Sequence, residues 1–285
     1  MKLLVTGGSG QLGHDVSAFA SAKGWDVLSP THAELDICDQ SLVELYFREH
    51  RPDAVIHCAA WTAVDAAEDE EEACRAINVG GTENLTEACR ELDIPILYIS
   101  TDYVFNGTGE QFWKVDDPTD PINAYGLSKR DGEDAVKKYS KHYIVRISWV
   151  FGSNGKNFLK TMINLSKKYD TVRVVSDQYG SPTYTYDLAP LLCEMVVSGK
   201  YGVYHAHNTG VCSWYDVAVE TFKAAGIDMT VVPITSAEYP MKAARPLNSR
   251  LDLDSLKKAG FPELPDWKDA VHRFVRELER SCKIL

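Results

Sequence analysis

Tyr125 stands four residues ahead of Lys129 in the stretch "NAYGLSK", which reads as the opening of a helix. Positions i and i+4 of a helix are neighbours, within about 6 Å. An ammonium beside a phenol favours the phenolate and lowers the tyrosine pKa from its ordinary value of about 10. A tyrosine tuned in this way can donate or take a proton near neutral pH. Such a pair also arises by chance on amphipathic helices, so its meaning depends on its company. Thr101 and Asp102 supply part of that company: "IPILYIS" reads as a strand that runs into "TDYVF", at the carboxyl edge where open α/β sheets bind ligands.

The stretch "TGGSGQLG", Thr6 to Gly13, follows the first apolar run and precedes a helical pattern. Its glycines read as Gly7-x-x-Gly10-x-x-Gly13 or as Gly8-x-Gly10-x-x-Gly13. Either register permits a tight turn, close approach of a pyrophosphate, and phosphate binding at a helix N-terminus, where Gln11 and Leu12 begin the first turn. Dinucleotide binding follows from this strand-turn-helix context. The acidic residue that favours NAD is missing at the end of the second strand, where Ser29, Pro30 and Thr31 stand. NADPH and NADH therefore both remain open, with NADPH slightly preferred because nothing there repels a 2′-phosphate, and Asp36 and Ile37 serve the adenine end. In "CAAWTAVD", the small residues Ala59 and Ala60 with Thr62 let a cofactor lie across the third strand. Beside a nicotinamide, Thr101, Tyr125 and Lys129 form a carbonyl-reducing set. Thr101 hydrogen-bonds the substrate oxygen, Tyr125 delivers the proton, and Lys129 tunes the phenol and grips the nicotinamide ribose.

These residues need a scaffold, and the chain's periodicity provides one. Short apolar runs at 2–6, 25–29, 53–59, 94–100 and 142–148 alternate with helical patterns near 11–22, 40–50, 70–93 and 124–141. That alternation predicts an α/β fold with a Rossmann-type doubly wound parallel sheet. Residues 1–150 are expected to form the dinucleotide-binding domain. Residues 151–285 are expected to form a smaller, partly helical substrate-binding lobe, with helices near 157–168, 187–198, 213–226 and 266–280 and segments near 200–210 returning to the sheet.

The 285 residues are 45% hydrophobic and 25% charged, the composition of a soluble chain with a sizeable core. A net charge of −11 argues against a nucleic-acid surface, while leaving room for a phosphorylated small molecule held by local basic groups. The acidic run "EDEEE" (68–72) is read as a solvated helix N-terminal turn. Neither a membrane span nor a signal peptide is evident, so the expected location is cytoplasmic. Seven cysteines, at 38, 58, 74, 89, 193, 212 and 282, include no C-x-x-C pair and read as free thiols. Cys58 and Cys212 are assigned to packing, as no positioned base accompanies them. His205 and His207 alternate on a strand without a third ligand nearby and are assigned structural roles; no metal site is expected.

The set "TGGSGQLG", "INVGGTENL", "STDYVFNG", "NAYGLSK" and "SWVFG" resembles the extended short-chain dehydrogenase/reductases, and within them the dTDP-4-dehydrorhamnose reductases. "GKNFLKTM", "DQYGSPTYTYDLA", "HNTGVCSWYDVA" and "RPLNSRLD" extend the likeness over nearly the whole chain. The resemblance implies reduction of the C4 ketone of dTDP-4-dehydro-L-rhamnose by NADPH or NADH, with Thr101, Tyr125 and Lys129 catalytic and Val64, Asp102 and Trp149 near the deoxysugar. An indole face suits the apolar face of such a sugar. For the nucleotide end, the loops offer Asn154, Asn157, Lys160, Gln178 to Thr183 and, as a diphosphate clamp, Arg245. Some members of the family hold Mg²⁺ at a dimer interface through glutamates; the matching position here is Asp15, so metal-linked pairing is not carried over, and monomer and homodimer both stand. Two alternatives remain: an NAD-dependent sugar-nucleotide epimerase, and a non-catalytic regulatory subunit of the methionine adenosyltransferase β-subunit type. A dehydratase is disfavoured, because Tyr103 rather than a second acid follows Asp102.

Overall fold

The computed structural model describes residues 1–281, so Cys282 lies outside the described residues. Six parallel strands form the central sheet: β1 (Lys2–Thr6), β2 (Asp26–Leu28), β3 (Ala54–His57), β4 (Ile96–Thr101), β5 (His142–Ile147) and β6 (Gly202–His205). Their order is β6-β5-β4-β3-β1-β2. The inner strands read as continuous apolar runs because both faces are covered, as parallel sheets require. Leu3 and Val5 point into one core with α1 (Gln11–Ala22), whereas Leu4 points into the other with α2 (Gln40–His50), α3 (Thr82–Leu92) and α4 (Ala124–Lys137).

The expected helix over 70–93 is three pieces: Glu71–Arg75, a π-helical stretch Ala76–Gly81, and α3. The wider turn has an identifiable packing reason. A side chain at Gly81 would lie 2.6 Å from Ile37, and Asn78 turns inward to bond elsewhere. Such insertions recur at functional sites.

The second half contributes α5 (Phe158–Ser166), α6 (Thr185–Val196), α7 (Trp214–Ala224) and α8 (Trp267–Arg280). β6 pairs with β5, and α6 packs with α1 in the sheet's own core, so the boundary drawn at residue 150 does not separate two cores. The remaining helices build a separate cluster in which α8 buries Trp267, Ala270, Val271, Phe274, Val275 and Leu278, the spacing of one apolar helical stripe. No helix among the described residues is long and apolar enough to cross a membrane.

Candidate active site

β4 carries Thr101 and Asp102 to the carboxyl edge of the sheet, and α4 begins beside them. Asn123 caps α4, accepting the Gly126 N–H at 2.7 Å and donating from Nδ2 to the Ala244 carbonyl at 2.8 Å. Gly126 allows the helix to come close: a β-carbon there would lie 2.2 Å from the Tyr103 carbonyl oxygen. The Tyr125 ring then meets the edge of the Tyr103 ring, centroids 5.7 Å apart. Further along α4, Glu133 is buried and takes Arg146 of β5 in a two-pronged ion pair at 2.8 and 2.7 Å, with Ser100 of β4 donating at 2.7 Å. This clamp fixes α4 to the two strands beneath it.

The electrostatics differ from the expectation. Burial, and then the Asp102 carboxylate, push the Tyr125 phenol well above its ordinary range, while the Thr101 hydroxyl opposes the shift. The Lys129 ammonium is buried 4.0 Å from the centre of the Tyr98 ring, and burial lowers its pKa to about 7. Desolvation is the largest influence on both groups, so the pair does not produce a low-pKa tyrosine. His57 lies in the same interior. Its ring nitrogens bond the Thr6 and Thr82 hydroxyls at 2.7 and 3.1 Å, and burial followed by the Lys129 charge lowers its pKa to about 3.

The glycine turn has the form of a phosphate cradle. Gly7 adopts φ +70°, and a β-carbon on it would lie 2.6 Å from the Ala59 nitrogen, so only glycine lets the ends of β1 and β3 approach this closely. α1 starts at Gly10 with no side-chain cap, leaving its first N–H groups available to an anion. Gly13 sits on the Gly7 carbonyl, and the Ser29 hydroxyl stands against Gly8. Gln11 and Leu12 open α1, and Ala59 and Ala60 are half-buried beyond β3, with Thr62 exposed. Asp36 accepts the Cys38 N–H at 2.9 Å, whereas Ile37 is buried in the sheet's second core. These residues fit a dinucleotide.

The residues expected near a substrate come from both halves of the chain. Val64 begins a one-turn helix, and Asp65 in that turn holds the loop before residue 248, accepting the Ala243 N–H at 2.9 Å and pairing with Arg245 at 2.7 Å. Arg245 therefore has a carboxylate partner within the chain. Trp149 is half-buried at φ +49°, a strained conformation for a bulky residue, and stacks on Trp214 with centroids 4.1 Å apart. Asn157 faces the glycine turn: its Nδ2 donates to Gln11 Oε1 at 3.0 Å and to the Gly152 carbonyl at 2.8 Å. Asn154 donates to the Ser9 carbonyl at 2.8 Å. Lys160 donates to the Ser153 and Gly155 carbonyls at 2.6 and 2.9 Å.

Asn78 went unread in the sequence. Its side chain accepts the Trp61 N–H at 2.8 Å and donates to the Trp61 carbonyl and to Ser128 of α4, tying the "CAAWT" loop to that helix. An asparagine inside an otherwise helical pattern was the available signal, since that residue competes with helical hydrogen bonding. Cys58 is pushed up to about 12 by burial, which keeps its thiol protonated. His205 and His207 bond backbone carbonyls of Asp252, Asn208 and Leu251. The Asp15 carboxylate accepts a hydrogen bond from Thr185. Among the described residues, no three His, Cys, Asp or Glu side chains group as a metal site.

The chain matches the family model described as RmlD substrate binding domain over residues 1–280. It is 42% identical over 276 residues to a dTDP-4-dehydrorhamnose reductase of Streptomyces griseus, covering 94% of this chain and 91% of that one. It is 38% identical over 283 residues to the spore coat polysaccharide biosynthesis protein SpsK of Bacillus subtilis, covering 99% of each. A solved dTDP-4-dehydrorhamnose reductase of Bacillus anthracis, in complex with NADP, is similar at a TM-score of 0.95 and 39% identity, over 97% of this chain and 99% of that one. With a glycine cradle, a Thr-Tyr-Lys set at one sheet edge and a match running nearly end to end, the chain belongs to the RmlD substrate-binding-domain family.

Proposed function

We propose that this chain reduces the C4 ketone of dTDP-4-dehydro-L-rhamnose to dTDP-L-rhamnose, the last step in making that sugar donor, with NADPH or NADH. The observation that carries the reading is the meeting of Thr101 and Tyr125 at the carboxyl edge of β4, with Lys129 one helical turn further on and the glycine cradle on the same sheet edge. The relatives named as reductases of this substrate support it. NADPH is the slightly favoured cofactor, because Ser29, Pro30 and Thr31 place no carboxylate at the end of β2.

When bound at the glycine turn, NADPH or NADH would supply the hydride for the ketone carbon. The developing alkoxide is met by the Tyr125 phenol, whose proton is retained at neutral pH by burial and is therefore available for transfer. The Thr101 hydroxyl orients the ketone oxygen. Lys129 puts a positive charge beneath the site, and Trp149 with Val64 offers an apolar wall to the deoxysugar. The Asn157 amide, occupied with Gln11, is placed by this reading with the cofactor turn.

The test is oxidation of NADPH, and separately NADH, on addition of dTDP-4-dehydro-L-rhamnose. Tyr125→Phe is expected to lower turnover by about 10²- to 10⁴-fold while leaving the cofactor Kd within a small factor. Cofactor binding without consumption by the wild-type chain would overturn the reductase reading and favour the epimerase or the regulatory subunit.

A further inference from the structure

Thr101 does not present its hydrogen to a ketone in this arrangement. Its one hydroxyl proton goes to Asp102 Oδ1 at 3.0 Å, and one lone pair takes the Tyr103 N–H at 3.2 Å. The remaining lone pair stands beside the Tyr125 phenol, so Thr101 has no hydrogen left for a carbonyl oxygen. Asp102 is itself in an unusual position. It is 3% exposed, and its buried Oδ2 has no partner within good hydrogen-bond geometry, the Ser249 hydroxyl being the nearby group that acts on this carboxyl besides Thr101. A buried oxygen left unsatisfied is costly on a carboxylate and much less so on a neutral acid.

We propose that Asp102 works as a neutral carboxylic acid whose O–H donates to the Thr101 oxygen, turning the threonine hydrogen outward to the substrate ketone. Thr101 then accepts from Asp102 and from the Tyr103 N–H and donates to the substrate, which satisfies its full hydrogen-bonding capacity. The Asp102 proton stays on the carboxyl group throughout, and the proton that reaches the product oxygen is that of Tyr125. Asp102 is thus a positioning residue acting through Thr101. The inference rests on the reductase reading for its role but not for its protonation.

The surroundings agree. Burial raises the Asp102 pKa to about 6, partly offset by the Ser249 and Thr101 hydroxyls. Facing it are the phenols of Tyr103 and Tyr125, both pushed up by burial and then by the Asp102 charge. The charged groups of this shell are Arg245, beside Tyr103, and its partner Asp65. Substrate covering the site removes more water and favours the neutral acid further.

Two measurements test the proposal. With NADPH saturating, wild-type kcat/KM is expected to fall about tenfold per pH unit above pH 6 from this group alone. In Asp102→Asn, whose amide always donates, that limb should vanish, whereas the Lys129 limb near pH 7 stays in both. The same limb in both proteins overturns the proposal. Infrared spectroscopy of the wild-type chain reads Asp102 directly: a protonated-carboxyl band should persist to about pH 6 and shift in Thr101→Val, whether or not Asp102→Asn folds. No such band above pH 5 overturns it. An enzyme that never oxidises NADPH but shows the band has lost the reductase reading while keeping the neutral acid.

Discussion

Lys129 carries its ammonium in a place that disfavours charge. It is 2% exposed, over the Tyr98 ring, and burial lowers its pKa from 10.5 to about 7, with Glu133 the main opposing influence. Between those two pH values the unfolded chain binds the proton that the folded chain sheds, so stability rises with pH across the window, is lost as pH falls from 10.5 to about 7, and changes no further below that. Lys129→Met is therefore expected to be the more stable protein at pH 6, by on the order of a few kcal/mol, with the gap closing toward pH 10. Urea denaturation of both proteins at the two pH values measures it, and parallel stability curves would count against the argument. The same variant should lose turnover, an exchange of function for stability seen at many sites that hold strained or desolvated groups. The Tyr-Lys spacing was legible in the sequence, but its electrostatics were not. Spacing along a helix states how near two groups are and says nothing about how much water surrounds them.

The helix α4 was equally legible, through its capping Asn123 and its apolar period, and so were the five strands of the first half, of which the inner four read as buried because both faces are covered. The closeness of α4 to the turn after β4 was harder to read, although a sign of it was present. Glycine within a helix costs up to about 1 kcal/mol relative to alanine, so Gly126 in the first turn of α4 needs a packing reason. That reason is the Tyr103 carbonyl, 2.2 Å from where a β-carbon would sit. Gly126→Ala should keep the fold, because Glu133 still anchors the helix to Arg146. It should also push the first turn, and Tyr125 with it, away from Thr101. A displacement near 1 Å is enough to lower kcat by about 10²-fold. A variant with unchanged circular dichroism and undiminished kcat would show that the approach of α4 does not set the geometry of the site.

Across the whole molecule, the second half of the chain closes onto the cofactor turn by contacts no local pattern announces. Asn154 reaches Ser9 over a separation of 145 residues, and Asn157 reaches Gln11 over 146. A single sequence records helical and strand periods, not which distant amides will meet, so the contact of Asn157 with Gln11 was not legible in it. Asn157 also caps α5 through the Lys160 N–H at 3.0 Å, so one amide joins the start of a lobe helix to the start of α1. The lobe and the glycine turn should then order together, each lowering the entropic cost of fixing the other. Asn157→Ala removes both contacts. It is expected to raise the NADPH Kd about tenfold, equivalent to roughly 1.4 kcal/mol, in a fluorescence titration with no sugar present. Loss of the cap alone would destabilise the lobe by about 1 kcal/mol and leave that Kd unchanged. A raised Kd in Asn154→Ala as well, where the cap is intact, would assign the effect to the latch. An unchanged Kd in both variants would mean that the lobe and the cofactor turn act independently, and that the chain binds its dinucleotide with the first half alone.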